Sequence, residues 1–195
     1  MRSAVNITEL GRSGFLANLG NQLAIYGVAM GASPADLPSR QVIMERHAAN
    51  PGLRSLAAID EQSRQVVGFA YGFRGCSGQW WHDVVWSALA TTSGLAAAHA
   101  WLDDAIEIAE VHVRPEYQAR GIGRQLVLTL TAGRGERTAL LSTRDAESRA
   151  RRLYRSLGFR DLLVDFVFPG GGPPYAVMGA ELPLAGSATG QQAGR

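Results

Sequence analysis

Val113-Arg114-Pro115-Glu116-Tyr117-Gln118-Ala119-Arg120-Gly121-Ile122-Gly123-Arg124 is the stretch on which the fold turns. A β-branched run ends at Val113, Pro115 halts it, and two glycines stand where a helical pattern begins. Glycine reaches backbone angles closed to other residues and lets a ligand approach the main chain. The first N–H groups of a helix lack intrahelical partners and carry partial positive charge, so this junction suits an anion. Each such contact is worth only about 0.3–1 kcal/mol at an exposed end. Several must therefore converge, and Arg120 and Arg124 add full charges beside them. A two-glycine junction between strand and helix also occurs without any ligand. Two more specific readings fail. The dinucleotide fingerprint wants a third glycine where Leu126 stands, and a nucleotide-hydrolase phosphate loop wants a lysine.

Working outward, residues 105–114 read as a strand, 121–132 as a helix and 138–143 as a second strand. That is a βαβ crossover with two parallel neighbours. The first strand changes parity partway. Ile106 and Ile108 share one face, whereas Val111 and Val113 fall in the opposite register. One extra residue near Ala109-Glu110 restores a single apolar face, so a β-bulge is expected there. The same shift sends Glu107, Glu110 and His112 to the other side.

Downstream, residues 146–157 read as a helix with Asp145 as N-cap, stopped by Gly158-Phe159. Residues 162–168 and 175–182 read as a closing antiparallel hairpin, and the tail 186–195 as disordered. Upstream come a short strand at 2–8, a helix over 14–30, a second over 42–49, and a hairpin of 53–59 with 66–73. Residues 79–102 hold all four tryptophans and read as helix plus loop. They cover either the acceptor side of a site or a subunit interface in a homodimer. The length suits one domain over 1–185.

Composition removes several chemistries. All 19 basic residues are arginine, so a lysine Schiff base is excluded. A formal charge of +2 with no basic–aromatic interleaving gives no case for nucleic acid. Arg149, Arg151, Arg152 and Arg155 read as a solvated helix face. The lone Cys76 cannot form an internal bridge, and no apolar run is long enough for a membrane span. A soluble cytoplasmic protein with no metal and no membrane partner is expected.

Gln118-Ala119-Arg120-Gly121-Ile122-Gly123 resembles the Q/R-x-x-G-x-G/A signature of the GNAT superfamily of N-acetyltransferases. The segment from Ala150 to Phe159, with Leu153-Tyr154 and Gly158-Phe159, is similar to that family's A-x-x-L-Y-x-x-x-G-F. The resemblance covers about residues 105–159. It implies an α/β (α+β) fold, with a mixed, mostly antiparallel sheet flanked by helices and splayed between strands 105–114 and 138–143. It also implies acetyl-CoA as cosubstrate. Val111, His112 and Val113 would run along the pantetheine arm, the backbone of Val111 and Val113 pairing with its amides. Gln118, Ala119, Arg120, Gly121, Ile122, Gly123 and Arg124 would hold the pyrophosphate. The family commonly has Asn where Glu147 stands, and Ser148 is the substitute contact.

The same resemblance implies Tyr154 as general acid toward the leaving thiolate. The spacing of Glu107 before the glycine signature resembles that of a base used in some members, which makes it the first candidate base; from the strand itself Glu110 is the second, with His112 as base or structural partner. A carboxylate cluster of these residues with Asp103 and Asp104 would favour a cationic amine, small or at a peptide amino terminus. The open alternatives are a longer acyl-CoA, transfer to a hydroxyl, a non-enzymatic acyl-CoA-binding regulator, and a plain phosphate- or nucleotide-binding module.

Overall fold

The computed structural model describes residues 3–186, so all but the first residue of the tail read as disordered lies outside the described residues. Seven strands form one sheet: β1 (Val5–Leu10), β2 (Arg54–Asp60), β3 (Val66–Arg74), β4 (Ala105–Val113), β5 (Thr138–Arg144), β6 (Arg160–Phe166) and β7 (Tyr175–Glu181). Their spatial order is β1-β2-β3-β4-β5-β7-β6, antiparallel throughout except for the parallel pair β4–β5. The mixed, mostly antiparallel architecture expected from the sequence is the one observed. The hairpin of β6 with β7 and that of β2 with β3 both form, and the predicted strand ends move by at most three residues, the largest shift being the start of β1.

The helices sort by face. One face carries α6 (Ile122–Thr131) and α7 (Arg149–Ser156). Ile122, Leu126, Val127 and Leu130 bury one stripe of α6 against Ile106, Ile108 and Val113 of β4 and Ala139 and Leu141 of β5. Full burial of each such side chain stabilises by roughly 1.5–3 kcal/mol. The other face carries α1 (Arg12–Ala17), α2 (Leu19–Met30) and α3 (Leu37–His47) over β3, where Phe15, Ile25 and Met44 meet Phe69, Tyr71 and Phe73. Covered on both sides, β3 is buried along nearly its whole length. The helix expected over 14–30 breaks at Asn18, and α3 starts earlier than its apolar residues suggest because Pro38 sits in its first turn, where no N–H is needed.

The tryptophan-rich segment forms two helices, α4 (Trp80–Ser93) and α5 (Leu95–Leu102), separated at Gly94 with φ +89°. Val85, Leu89, Ala98 and Leu102 pack on Leu140, Leu163 and Val177 of the β5–β7–β6 half. No helix among the described residues is long and apolar enough to cross a membrane.

Candidate active site

The bulge forms where parity demands it. Tyr71 pairs with Glu110 while the next residue, Gly72, pairs with Ile108, leaving Ala109 as the extra residue. Gly72 is required there: a Cβ on it would lie 2.5 Å from the carbonyl oxygen of Glu107. After the bulge, Ile106, Ile108 and Val113 face α6 and α7, whereas Glu107 and Glu110 are buried on the opposite face.

Immediately beyond this point the sheet forks. β4 pairs with β5 only through Ala105, Ile106 and Glu107, opposite Thr138, Ala139 and Leu140. Both strands run on, but apart. The Arg114 N–H donates to the Val67 carbonyl. Antiparallel alternation then turns the N–H and C=O of His112 toward β3 and those of Val111 and Val113 toward the fork. The Val113 carbonyl takes the Gln118 side-chain amide at 3.1 Å. Among the described residues no strand pairs with the Val111 groups or the Val113 N–H.

The glycine loop closes the wide end of the fork. Pro115–Tyr117 forms a 3-10 turn, tied back where the Tyr117 hydroxyl donates to Asp60 at 3.2 Å. Ala119 (φ +58°) and Gly121 (φ +82°) both adopt left-handed angles. Among the described residues no side chain caps α6, and its first N–H groups, those of Ile122, Gly123 and Arg124, have no protein acceptor. Gly123 lets α7 come close, with Leu153 only 3.3 Å from where a Cβ would sit. Arg120 lies over the Tyr117 ring at 4.5 Å and donates to the Glu116 carbonyl, and Arg124 reaches Ser156 at 3.2 Å.

α7 supplies the opposite wall. Its N-cap is Ser148, whose hydroxyl accepts from the Arg151 N–H at 3.1 Å. This corrects the expectation of Asp145, and among the described residues it leaves the Ser148 O–H donor and its second lone pair uncommitted. Asp145 instead pairs with Arg151 and accepts the Asp165 N–H at 2.6 Å. The arginine cluster is not a uniform solvated face. Arg151 is buried between Asp145 and Asp161, and Arg155 bridges Glu147 and Asp161. Arg149 and Arg152 line the cavity. Spacing alone does not separate the two pairs, because Arg152 stands three residues from both Arg149 and Arg155.

Together these parts enclose a cavity of about 470 Å³, lined by Val111, Val113, Gln118, Gly121, Arg152 and Tyr154 among others. Ala119, Ile122, Gly123 and Arg124 also border it; Arg120, His112 and Ser148 do not. Tyr154 is buried, and its hydroxyl makes no hydrogen bond among the described residues. Burial first, and the charge of Glu110 second, push its phenol well above the ordinary value, so it keeps its proton.

The opposite face of the fork is carboxylate-bearing. Glu107 sits at the apex, one oxygen buried with no hydrogen-bond partner among the described residues. Burial, then the neighbouring Glu110, push its pKa up to about 8. Glu110 is held at both oxygens, by Arg40 at 3.0 Å and by the His112 imidazole at 2.5 Å. His112 therefore belongs to this face as a partner of Glu110, not to the cavity. Arg40 also reaches the Tyr26 hydroxyl at 3.1 Å, and His47 meets the Tyr71 hydroxyl at the same distance. These four side chains come from α2, α3 and β3, and no local motif marks them. Asp103 and Asp104 are not part of the cluster: they lie before the closed end of β4, paired with His99 and with Arg74 and Arg137.

Residues 54–161 match the family model for the acetyltransferase (GNAT) domain. A GCN5-like protein acetyltransferase of Mycobacterium tuberculosis is 32% identical over 93% of this chain and 100% of its own length. Among solved structures, the ribosomal-protein-S18-alanine N-acetyltransferase of Escherichia coli superposes with a TM-score of 0.60 at 19% identity, covering 94% of this chain and 97% of that one. A Salmonella typhimurium protein, solved with its cofactor acetyl-CoA, gives 0.59 at 18% identity over 97% of this chain and 100% of its own. These last two are likenesses of fold.

Proposed function

This chain belongs to the GNAT family of acetyltransferases, and from that premise we propose that it moves the acetyl group of acetyl-CoA onto a primary amine carried by a polypeptide. The observation that carries the reading is the fork, a slot through the sheet with unpaired backbone on β4, a helix N-terminus at its wide end and Tyr154 along it. The unpartnered N–H groups of Ile122, Gly123 and Arg124 suit a pyrophosphate, and the free N–H and C=O of Val111 suit an amide-bearing arm. Arg149 and Arg152 are placed for a further phosphate. When bound, acetyl-CoA supplies a thioester whose carbonyl carbon accepts the amine and whose C–S bond then breaks.

The chain's own residues manage the protons. Glu107, directly or through water, takes the proton that an amine brings as ammonium. Its raised pKa makes it a base matched to near-neutral working pH. Glu110, already engaged by Arg40 and His112, holds negative charge near the slot and is the second candidate. Tyr154 keeps its phenolic proton until a thiolate leaves beside it and then donates it, and the second proton that the nitrogen sheds as the amide forms returns through water to the phenolate. A positive amine is drawn to the carboxylate face, and the relative named as a protein acetyltransferase supports a polypeptide acceptor. One catalytic unit over residues 1–185, working in a reducing cytoplasm where Cys76 stays a thiol, completes the reading.

The test is calorimetry with acetyl-CoA, then thiol release against a panel of peptides and small amines. Acetyl-CoA at about 100 times its Kd should stabilise the fold by about 2.7 kcal/mol. Gly121→Val should abolish that gain, because the left-handed Gly121 shapes the loop. Unchanged affinity in the variant would overturn the loop assignment. Because the enzyme itself contains no lysine, any acetyl-lysine found by mass spectrometry belongs to the acceptor.

A further inference from the structure

β3 and β4 are neighbouring antiparallel strands, Arg74 facing Ile106, and a short turn would join them. The chain instead spends residues 75–104 on an excursion that carries α4 and α5 across to the β5–β7–β6 half. Connectivity does not require it. The start of α4 lands beside the open end of the fork. The Trp81 indole N–H donates to Ser142 of β5 at 3.2 Å, and Trp80 lies 5.6 Å from Phe168, which in turn packs on Tyr175 opposite the end of β5. It is also on the carboxylate face, because Glu107 and Leu140 are register partners and Leu140 belongs to the cluster that α4 covers.

Between α4 and the β6–β7 connection runs an open groove of about 480 Å³, lined by Trp80, Asp83, Val84, Phe166, Val167 and Pro169 among others. Its apolar walls stand in solvent: Trp80 is 59% exposed and Val167 49%. Exposed apolar surface of this kind rimmed by polar residues marks interaction sites. Asp83 is the one charged residue among those lining it.

We propose that this groove docks the acceptor polypeptide, taking a large apolar side chain a few residues from the reactive amine, with a neighbouring basic residue of the acceptor against Asp83. Three features select that occupant. The groove shares its sheet face with Glu107 and Glu110 and lies at the open end of the fork, so a chain seated in it leads an amine inward along that face toward them. Asp83 takes the Gly78 N–H and pairs with His82 at 3.1 Å, yet its side chain stays 49% exposed, and a single accessible carboxylate at an apolar groove complements a basic residue beside a hydrophobic one. A rigid indole supplies contact area at small entropic cost, as is common where one partner must hold another. The proposal rests on the polypeptide-acceptor reading above.

The probe is a fluorescein-labelled octapeptide with Leu-Phe-Arg next to a free amino terminus, paired with a twin carrying Ser-Ser-Arg. Binding is read by anisotropy without acetyl-CoA, so the result does not depend on acetyl transfer. The wild type should bind the first peptide at least about tenfold more tightly. Trp80→Ser and Val167→Glu should each erase the difference while leaving Tm and acetyl-CoA affinity unchanged, both positions being exposed. Asp83→Asn should weaken both peptides alike, since both carry the arginine. Equal binding of the two peptides, binding of neither, or a preference that survives Trp80→Ser overturns the proposal. So does a dimer that Trp80→Ser dissolves, which would assign the groove to a second copy. Failure of acetyl transfer to every amine, with the peptide preference intact, would instead strike the catalytic reading.

Discussion

Two side chains on opposite faces of one slot carry the proposed chemistry, and each has a separable signature. Tyr154→Phe keeps the ring and its packing against Phe159 but removes the proton. Turnover should fall roughly 10²–10⁴-fold with acetyl-CoA affinity little changed. Near-normal turnover would make Tyr154 a core residue only. Glu107 is tested through pH. With its pKa raised to about 8, it is mostly protonated at neutrality, so turnover should climb as pH rises through about 8. In Glu107→Gln turnover should drop by a similar factor, leaving only the dependence due to the amine itself. Stability gives an independent check. The folded pKa lies above the ordinary 4.5, so the native state holds the proton that the unfolded chain releases. Stability is therefore full below about pH 4.5 and declines as pH climbs toward 8, by on the order of a few kcal/mol. Glu107→Gln should flatten that decline in denaturant titrations at pH 5 and pH 8.

At the scale of elements, the bulged β4 and its partner β3 act as a unit. Gly72→Ala would force a Cβ to 2.5 Å from the Glu107 carbonyl oxygen, and the backbone cannot swing aside as a side chain would. It should cost about 1–3 kcal/mol and reduce turnover by shifting the strand that carries Glu107 and Glu110. Gly20→Ala, inside α2 with nothing within 4 Å of the new methyl, should instead stabilise by about 0.5–1 kcal/mol. Chemical denaturation of both variants distinguishes a glycine needed for space from one merely tolerated. The bulge was legible in the sequence because strand parity is a local signal: four apolar residues, Ile106, Ile108, Val111 and Val113, suffice to expose it. The α7 cap was not. Asp145 and Ser148 are both good capping residues, and what occupies Asp145, the Arg151 side chain and the Asp165 N–H from β6, is not written in the local sequence.

Across the whole molecule, β1–β4 and β5–β7 are two half-sheets held by a seam of Ala105–Glu107 against Thr138–Leu140 and by helices packed over it. The Val111 and Val113 amides should exchange quickly in the free enzyme and be protected when acetyl-CoA fills the slot, as hydrogen-exchange mass spectrometry would read. This larger plan was only half readable beforehand. The crossover from 105 to 143 declares itself through helical period and glycine stops, and the glycine signature through its spacing. Arg40 reaches Glu110, His47 reaches Tyr71 and Tyr26 holds Arg40 from helices far back in the chain, and no local pattern records such meetings. The fork passes right through the sheet, so under the proposed function donor and acceptor use separate doors and neither has to leave for the other to enter. Steady-state kinetics should accordingly be sequential rather than ping-pong, with coenzyme A competing against its acetylated form but not against the amine. A conjugate joining an amine to coenzyme A should then inhibit best when its tether is just long enough to thread from one door to the other.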